Sequence, residues 1–581
     1  REFPDVLLVN GLEKKRDLLA RYRLFNDDAA GPQVMLVQSE KNKGWSGHDT
    51  TGKHQRVLFN LGLPTKPTMA IQQEGRIYRT GQVSDALFRY LNTGTNWERW
   101  AFAQTIAQRA SVTDNLGSGE SARALRDAFI SGFEESGDFR AGHEGEGKGG
   151  KERDRIVDTA TTDFDRARRR AGGPVEGRFG GLPTAIKDQT AVAGLPLGFG
   201  SQTLADAEPS ATSSPITEIF EAVGTISLGT TTLPEFGLTS SSDFHHGPPT
   251  HNPWNRDHIA GGSSSGAAAL VAAGVLPLAH GGDGGGSIRI PAAACGLVGL
   301  KPSRGRLPHE NDVAPLPVKI SAYGVLSRSV ADQCAFLAAA EQHFPQPALT
   351  PVGLVDRPLD RPLRIGVLTT SPVNRTPSPS VTAAVNETAS LLEHLGHHVT
   401  YIDESDEATT QAFGDDFVLY WAFLAGALAI GGKKLINPAF DSSKLTSFTR
   451  GLAGHARRNI HLIPGAIRRL KAAPELYHQQ FGACDVVLSP TVSDPAPTLA
   501  HLGKDLDYQT HMDRLMRWAA YTPLHNVVGA PGIHLPVGLD ADLTLPVGVH
   551  FAARVGQERL LLELALQVEQ ASSFPKLSDF V

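Results

Sequence analysis

"AGGSSSGAAALVAAGVLPLAHGGDGGGSIRIPAAACGLVGLKPSRGR" occupies residues 260–306, and its reading decides the fold. At its centre lies GGDGGGSIRIP (281–291), where five glycines surround Asp283 and lead into Ser287. Gly284, Gly285 and Gly286 can adopt turn geometries closed to other residues, so their amide N–H groups can converge beside one hydroxyl. A phosphate cradle would need G-x-x-x-x-G-K-[ST]; here no lysine follows the glycines, and the chain continues Ser-Ile-Arg-Ile-Pro. A turn that binds an oxyanion fits better. Acyl transfer needs a nucleophile, a base and amide donors aimed at the charge that develops. GGSSSG (261–266) lies one helix upstream, and SGAAALVAAGV (265–275) predicts a helix of small residues that packs closely on its neighbours. GLPTAIKDQT (181–190) places Lys187 after an apolar segment, at a predicted strand end.

Further along, strand and helix signals alternate. LRIGVL (363–368) reads as a strand. PSVTAAVNETASLLEHLG (379–396) follows with Val381, Val385, Leu392 and Leu395 on one helical face and Gly396 as a stop. HHVTYID (397–403) reads as the next strand. This β-α-β unit implies an α/β fold with a parallel or mixed sheet covered by helices. In front, AGHEGEGKGGKERDR (141–155) is charged, rich in glycine and without apolar period. The chain therefore divides into a segment 1–140, a linker 141–157 and a large domain 158–581.

Composition sets outer bounds. With 581 residues and a net charge of -6, nothing global demands a nucleic-acid or membrane partner. Cys295, Cys334 and Cys484 are far apart, which implies a reducing compartment and no disulfide framework. No apolar run reads as a membrane span. REFPDVLLVNGLEKKRD at the start has no signal-peptide core and no initial Met, so a cytoplasmic protein, here as a fragment, is expected. No metal-ligand spacing and no cofactor motif is found. GHDTTGKH (47–54) has P-loop spacing but His54 where Ser or Thr must hold magnesium, and GEGKGG (145–150) follows no strand.

The 260–306 stretch resembles the amidase signature family. PEFG (234–237), CDVVLSPT (484–491), HNVVGAPGIHLPVG (525–538) and LPVGVHFAA (545–553) resemble it too, in family order, over roughly residues 158 to 575. The resemblance implies an α/β/α sandwich around a large twisted mixed sheet and hydrolysis of small or linear carboxamides through an acyl-enzyme. It implies a Ser–cis-Ser–Lys triad, with Ser287 as nucleophile, Ser263 as bridge and Lys187 as base. The oxyanion amides fall on Gly284, Gly285, Gly286 and Ser287. Ser264 supports the motif, and Asp283 and Arg289 brace the loop. The chemistry is consistent with this. A lysine in water keeps its proton up to a pKa of about 10.4, and burial lowers that value. A neutral Lys187 could then accept a proton from Ser263 as Ser263 takes one from Ser287.

Some residues depart from the pattern. Thr230, Thr231 and Thr232 stand where the family often has Lys-Thr-Asn, and the family's helical segment before the lysine motif is shorter here. His245–His246 and His397–His398 read as non-metal pairs, the first near the mouth of the site. Cys295 reads as core. Selectivity is expected from 404–480, where YWAFLAGALAIGG (420–432) and IHLIPGAIRRL (460–470) read as a channel wall or as buried core. A small-molecule amide is the expected partner, a homodimer stays open, and a glutamine-dependent amidotransferase subunit is the alternative within the family.

QQEGRIYRTGQ (72–82) resembles the last motif of superfamily 2 helicases of the Swi2/Snf2-like and phage type, which implies that Gln72, Arg76 and Arg79 are remnants of a phosphate-contacting motif. The flanking RVLFNLGLPTKPTMAI and DALFRYLNTGTNWERWAFA resemble the tail of such a helicase. A motor also needs a lobe with a P-loop and an acidic metal-binding motif, and neither is in the sequence. Residues 1–140 thus read as a partial helicase lobe, with nucleic-acid binding as the weaker alternative.

Overall fold

The computed structural model describes residues 159–309, 316–369, 376–402, 411–480, 483–540 and 545–577, together with four short strands upstream. Those strands are β1 (Val6–Val9), β2 (Val34–Val37), β3 (Val57–Asn60) and β4 (Leu87–Tyr90). β1 pairs with β2 and β3 with β4, both in parallel. They belong to a unit that ends at Gly149, inside the glycine-rich stretch; a second unit runs from Gly150 to Phe580. Gln72, Arg76 and Arg79 lie outside the described residues.

The second unit holds the remaining strands. β5 (Thr159–Thr162), β6 (Pro183–Lys187) and β7 (Ile226–Thr231) form a three-stranded sheet in the order β5-β7-β6. β8 (Leu278–Asp283), β9 (Val298–Lys301), β10 (Ala322–Ser327), β11 (Arg364–Val367), β12 (His398–Tyr401), β13 (Val486–Pro490), β14 (Gly532–Leu539) and β15 (Pro546–Ala552) build an eight-stranded sheet. Its order is β12-β11-β13-β15-β14-β9-β10-β8. β12, β11 and β13 are parallel neighbours, and every other pair in that sheet is antiparallel. The β-α-β unit read from the sequence is present: helix Pro379–His394 links β11 to β12, and Gly396 follows it at φ 93°. Ser378 caps that helix through the Val381 N–H, and Pro379 suits its first turn because the missing N–H has no helical partner there.

Residues alternate across the sheet. Leu278 and Val325 face one apolar core with helices Val330–His343, Pro379–His394 and Glu558–Ala571. Ala279 and Leu326, one residue on, face another with helices Ser265–Ala272 and Arg289–Cys295. A period of two with both faces covered makes an α/β/α sandwich. The helix Ser265–Ala272 is wholly buried, which its small side chains permit. The longest helix, Gln411–Leu435, is by length and composition able to cross a membrane over Ala412–Leu435, a stretch not read as a span in the sequence. Here Phe417, Tyr420, Ala422 and Ala425 are packed within the domain.

The two sheets meet at β6 and β8 through side chains. The Thr184 hydroxyl donates to the Leu278 carbonyl at 3.1 Å, and the Lys187 N–H donates to His280 Nδ1 at 3.2 Å. This seam sets Lys187 beside the end of β8.

The end of the GLKPSRGR run is fixed by charge. Arg306, fully buried, donates to Glu558 at 3.1 and 2.8 Å, to Glu341 at 3.0 Å and to the Thr350 carbonyl at 2.8 Å. Burial opposes ionisation of Glu558, but Arg306 outweighs it and holds the carboxyl below its ordinary range. The pair therefore stabilises the fold at neutral pH and loses that contribution as pH falls through the lowered value. Arg306→Ala leaves a buried carboxylate unpaired. Urea unfolding at neutral pH is expected to show a loss of about 3–5 kcal/mol.

Candidate active site

Lys187 ends β6 with no solvent exposure. Its Nζ donates to Ser263 Oγ at 2.8 Å and to the Gly282 carbonyl at 3.1 Å. Burial pulls its pKa down, the Asp283 charge pulls it back up, and the net value is about 7. Lys187 is therefore poised to lose its proton near neutral pH. The Gly262–Ser263 peptide is cis. Ser264 N–H donates to the Ser287 carbonyl at 3.3 Å, and Ser264 Oγ to the Gly282 carbonyl at 3.4 Å. The serine-rich loop is thus tied to both ends of the glycine turn.

That turn joins β8 to helix Arg289–Cys295. Asp283, at the end of β8, accepts from three amides: Gly286 at 2.7 Å, Ile288 at 3.1 Å and Arg289 at 3.4 Å. It also accepts Arg289 Nε and an Arg289 terminal N–H, both at 3.0 Å, in a two-pronged pair with neither side chain exposed. Burial opposes ionisation of Asp283, and the Arg289 guanidinium overrides it and holds the carboxyl far below the ordinary range. Arg289 continues to the Thr522 carbonyl at 3.1 Å and to Asn526 Oδ1 at 2.7 Å. Asn526 Nδ2 closes the circuit on Asp283 at 2.8 Å. Gly286 sits at φ 131°, and a Cβ there would collide with Thr522 Oγ1 and the Ile290 side chain, so glycine is required.

Gly286 N–H therefore points at Asp283, not into the pocket, because the carboxylate that shapes the turn uses it. The amides of Gly284, Gly285 and Ser287 donate to no acceptor among the described residues. Ser263 and Ser287 line one cavity of about 180 Å³. Its walls include Phe236, Leu238, Phe417, Trp421 and Met516, with Gln189, Ser240 and Ser321 as polar members.

Other expected residues fall elsewhere. His245 and His246 are exposed and do not line the cavity. His397 is structural: its Nδ1 accepts the Leu363 N–H at 3.0 Å. No group of side chains among the described residues could hold a metal. Cys295 is buried, as its apolar run implied. Trp421 and Leu424 line the cavity, whereas Ile463, Ala466 and Leu470 pack in the core. The hydroxyls of Thr230 and Thr231, where the family pattern is broken, are buried without a partner among the described residues. Thr232 does have one, Thr250 at 3.0 Å. Sequence reading did not single out Asn526, Thr522 or Phe417. Asn526 was within reach, since it lies in the quoted HNVVGAPG run; Phe417 carries no local signal.

A buried lysine donates to a serine beside a glycine turn on an α/β/α sandwich, and comparison with known proteins gives the class of the chain. The sequence profile named Amidase matches residues 154–562, and the chain belongs to that family. It is 46% identical over 418 residues to the protein that carries the amidase name AmiC in Mycobacterium tuberculosis, covering 71% of this chain and 87% of that one. It is 30% identical over 465 residues to 6-aminohexanoate-cyclic-dimer hydrolase of a Pseudomonas species, covering 70% of this chain and 86% of that one. Among solved structures, 6-aminohexanoate cyclic dimer hydrolase superposes with a TM-score of 0.63 at 29% identity, covering 71% and 89% of the two chains. A bacterial aryl acylamidase superposes at 0.62 with 25% identity, covering 72% and 90%. The chain is an amidase, an enzyme that hydrolyses amide bonds.

Proposed function

We propose that hydrolysis runs through Ser287, Ser263 and Lys187. The observation that carries this is the 2.8 Å contact from the buried Lys187 Nζ to Ser263 Oγ. Ser287 Oγ attacks the amide carbon of a small or linear carboxamide. Its proton passes to Ser263 as the Ser263 proton passes to Lys187. The amides of Gly284, Gly285 and Ser287 receive the oxyanion, while the Gly286 amide holds the turn through Asp283. The relay then runs backward and protonates the leaving nitrogen. The C–N bond breaks, an ester on Ser287 remains, and water hydrolyses it by the same relay. Asp283 and Arg289 brace the loop, and Ser264 ties it to the serine-rich segment.

Ser287→Ala and Lys187→Ala are each expected to lower kcat for a primary amide by at least about 1,000-fold. Full activity retained by either variant would overturn the mechanism. The base must be neutral to accept a proton, so activity needs Lys187 deprotonated. With its pKa drawn down to about 7, kcat/KM is expected to rise with pH through that value. Below it, kcat/KM should fall about tenfold per pH unit; a flat profile between the mildly acidic and mildly basic range would refute the assignment.

For residues 1–140 we infer a helicase-lobe remnant, on the strength of QQEGRIYRTGQ with Gln72, Arg76 and Arg79. A lobe without a P-loop lacks the groups that hold ATP and magnesium. Purified protein is expected to show no ATPase activity with or without DNA; DNA-stimulated turnover would contradict this.

A further inference from the structure

One wall of the cavity is built from a helix that the mechanism does not use. Phe417 and Trp421 stand one turn apart on helix Gln411–Leu435, hence on one face, with ring centroids 6.4 Å apart. Both line the cavity that holds Ser287. The tip of the Phe417 ring lies over the nucleophile turn, since a Cβ on Gly285 would sit 3.3 Å from it. The wall is held from behind. Asp416 pairs with Arg469 at 2.7 and 2.6 Å, and the Tyr420 hydroxyl donates to the Val318 carbonyl at 2.5 Å and accepts the Val318 N–H at 3.1 Å. Residues 416 and 420 thus anchor the helix while 417 and 421 face the cavity. Leu238 and Met516 extend the apolar lining.

Charge is the second observation. Among the described residues, Asp283 is the one ionisable side chain in the lining. It is committed to Arg289 and Asn526. Behind Thr239, its partner His511 is held neutral near pH 7, because burial draws its pKa down to about 4. A substrate ammonium or carboxylate brought here would lose water and find, among the described lining residues, no free counter-charge, which is costly. Neutral polar groups do remain, at Gln189, Ser240 and Ser321, enough to orient an amide.

We propose that this site takes uncharged amides with an apolar acyl part, aromatic or aliphatic, and that Phe417 and Trp421 are the residues that select them. The proposal rests on the catalytic reading above. It also separates this chain from glutamine-dependent chemistry, because glutamine carries both an ammonium and a carboxylate.

The test uses the full chain with phenylacetamide, heptanamide and the two charged isosteres of heptanamide, whose terminal methyl is replaced by an ammonium or by a carboxylate. Ethyl fluorophosphonate labelling of Ser287 serves as the control for a working nucleophile. The neutral amides are expected to exceed both isosteres in kcat/KM by on the order of 100-fold. Trp421→Arg, at a partly exposed position, is expected to narrow that gap for the carboxylate isostere by about tenfold or more. Phe417→Leu should lower kcat/KM for phenylacetamide more than for heptanamide. Normal labelling with equal turnover of charged and neutral amides would overturn the substrate proposal and leave the mechanism standing. No labelling and no turnover in the wild-type chain would overturn the catalytic reading, and this proposal with it.

Discussion

The Asp283–Arg289 pair is the interaction on which the site depends. A carboxylate and a guanidinium without exposure are expensive to bury unless each remaining lone pair and N–H is satisfied. Here they are met by three backbone amides, Asn526 and the Thr522 carbonyl. The consequence is geometric. Three amides converging on Asp283 fold the chain tightly between β8 and helix Arg289–Cys295, and Ser287 is left facing the cavity. The pair fixes the turn together with the Thr522 hydroxyl, which donates to the Gly285 carbonyl at 2.6 Å, and the Ser264 N–H, which donates to the Ser287 carbonyl at 3.3 Å. It also recruits Thr522 and Asn526, more than two hundred positions away at the helix Pro523–Val528, so that a later part of the chain closes the local glycine motif.

Asp283 acts a second time, through space, on Lys187. A lysine removed from water prefers to be neutral, and full burial alone would drive it well down. The Asp283 charge opposes that. The two effects leave Lys187 titrating near 7. The seam between the two sheets makes this balance reachable. β6 and β8 are joined by the Thr184 hydroxyl and the His280 ring, and His280 accepts the Lys187 N–H only while neutral. Burial, together with the Lys187 charge, keeps His280 well below its ordinary pKa. The three-stranded sheet thus positions Lys187 by side-chain contacts that a continuous ladder would not need.

Much of this was legible from sequence, for physical reasons that differ by element. The β11–helix–β12 unit showed because its apolar residues repeat at helical and strand periods. The glycine turn showed because few residues other than glycine can take such backbone angles, as Gly286 confirms. Lys187 and Ser263 required the family pattern, since they meet across 76 residues of chain. What stayed hidden is long-range and chemically plain. Asn526 and Thr522 are ordinary residues until folding brings them to Arg289. Phe417 is one apolar residue among many in a long apolar helix, and only packing shows that it faces the cavity while Tyr420 faces Val318. The Gly286 amide illustrates the converse: the motif counts it with its neighbours, but the turn uses it for Asp283.

Glu235 anchors the loop that carries Phe236. This buried carboxylate accepts from Ser201 at 2.7 Å, from the Thr446 N–H and hydroxyl at 2.9 and 2.6 Å, and from the Thr449 hydroxyl at 2.5 Å. It therefore ties the loop at 234–237 to the start of helix Ser447–Arg458. The next residue, Phe236, lies in the cavity wall with φ 51°, unusual for a bulky side chain, and rests on Phe199 at φ 50°. Such backbone persists only when the surroundings over-determine it, and the Glu235 bonds and the Phe236–Phe440 contact at 5.9 Å do so here. Phe440 follows helix Gln411–Leu435, which carries Phe417 and Trp421. The cavity wall is thus held by packing, the Glu235 bonds and the Asp416–Arg469 pair, and the glycine turn by the buried Asp283–Arg289 pair. The two meet where the Phe417 ring approaches Gly285, so the wall is shaped against the turn that carries Ser287.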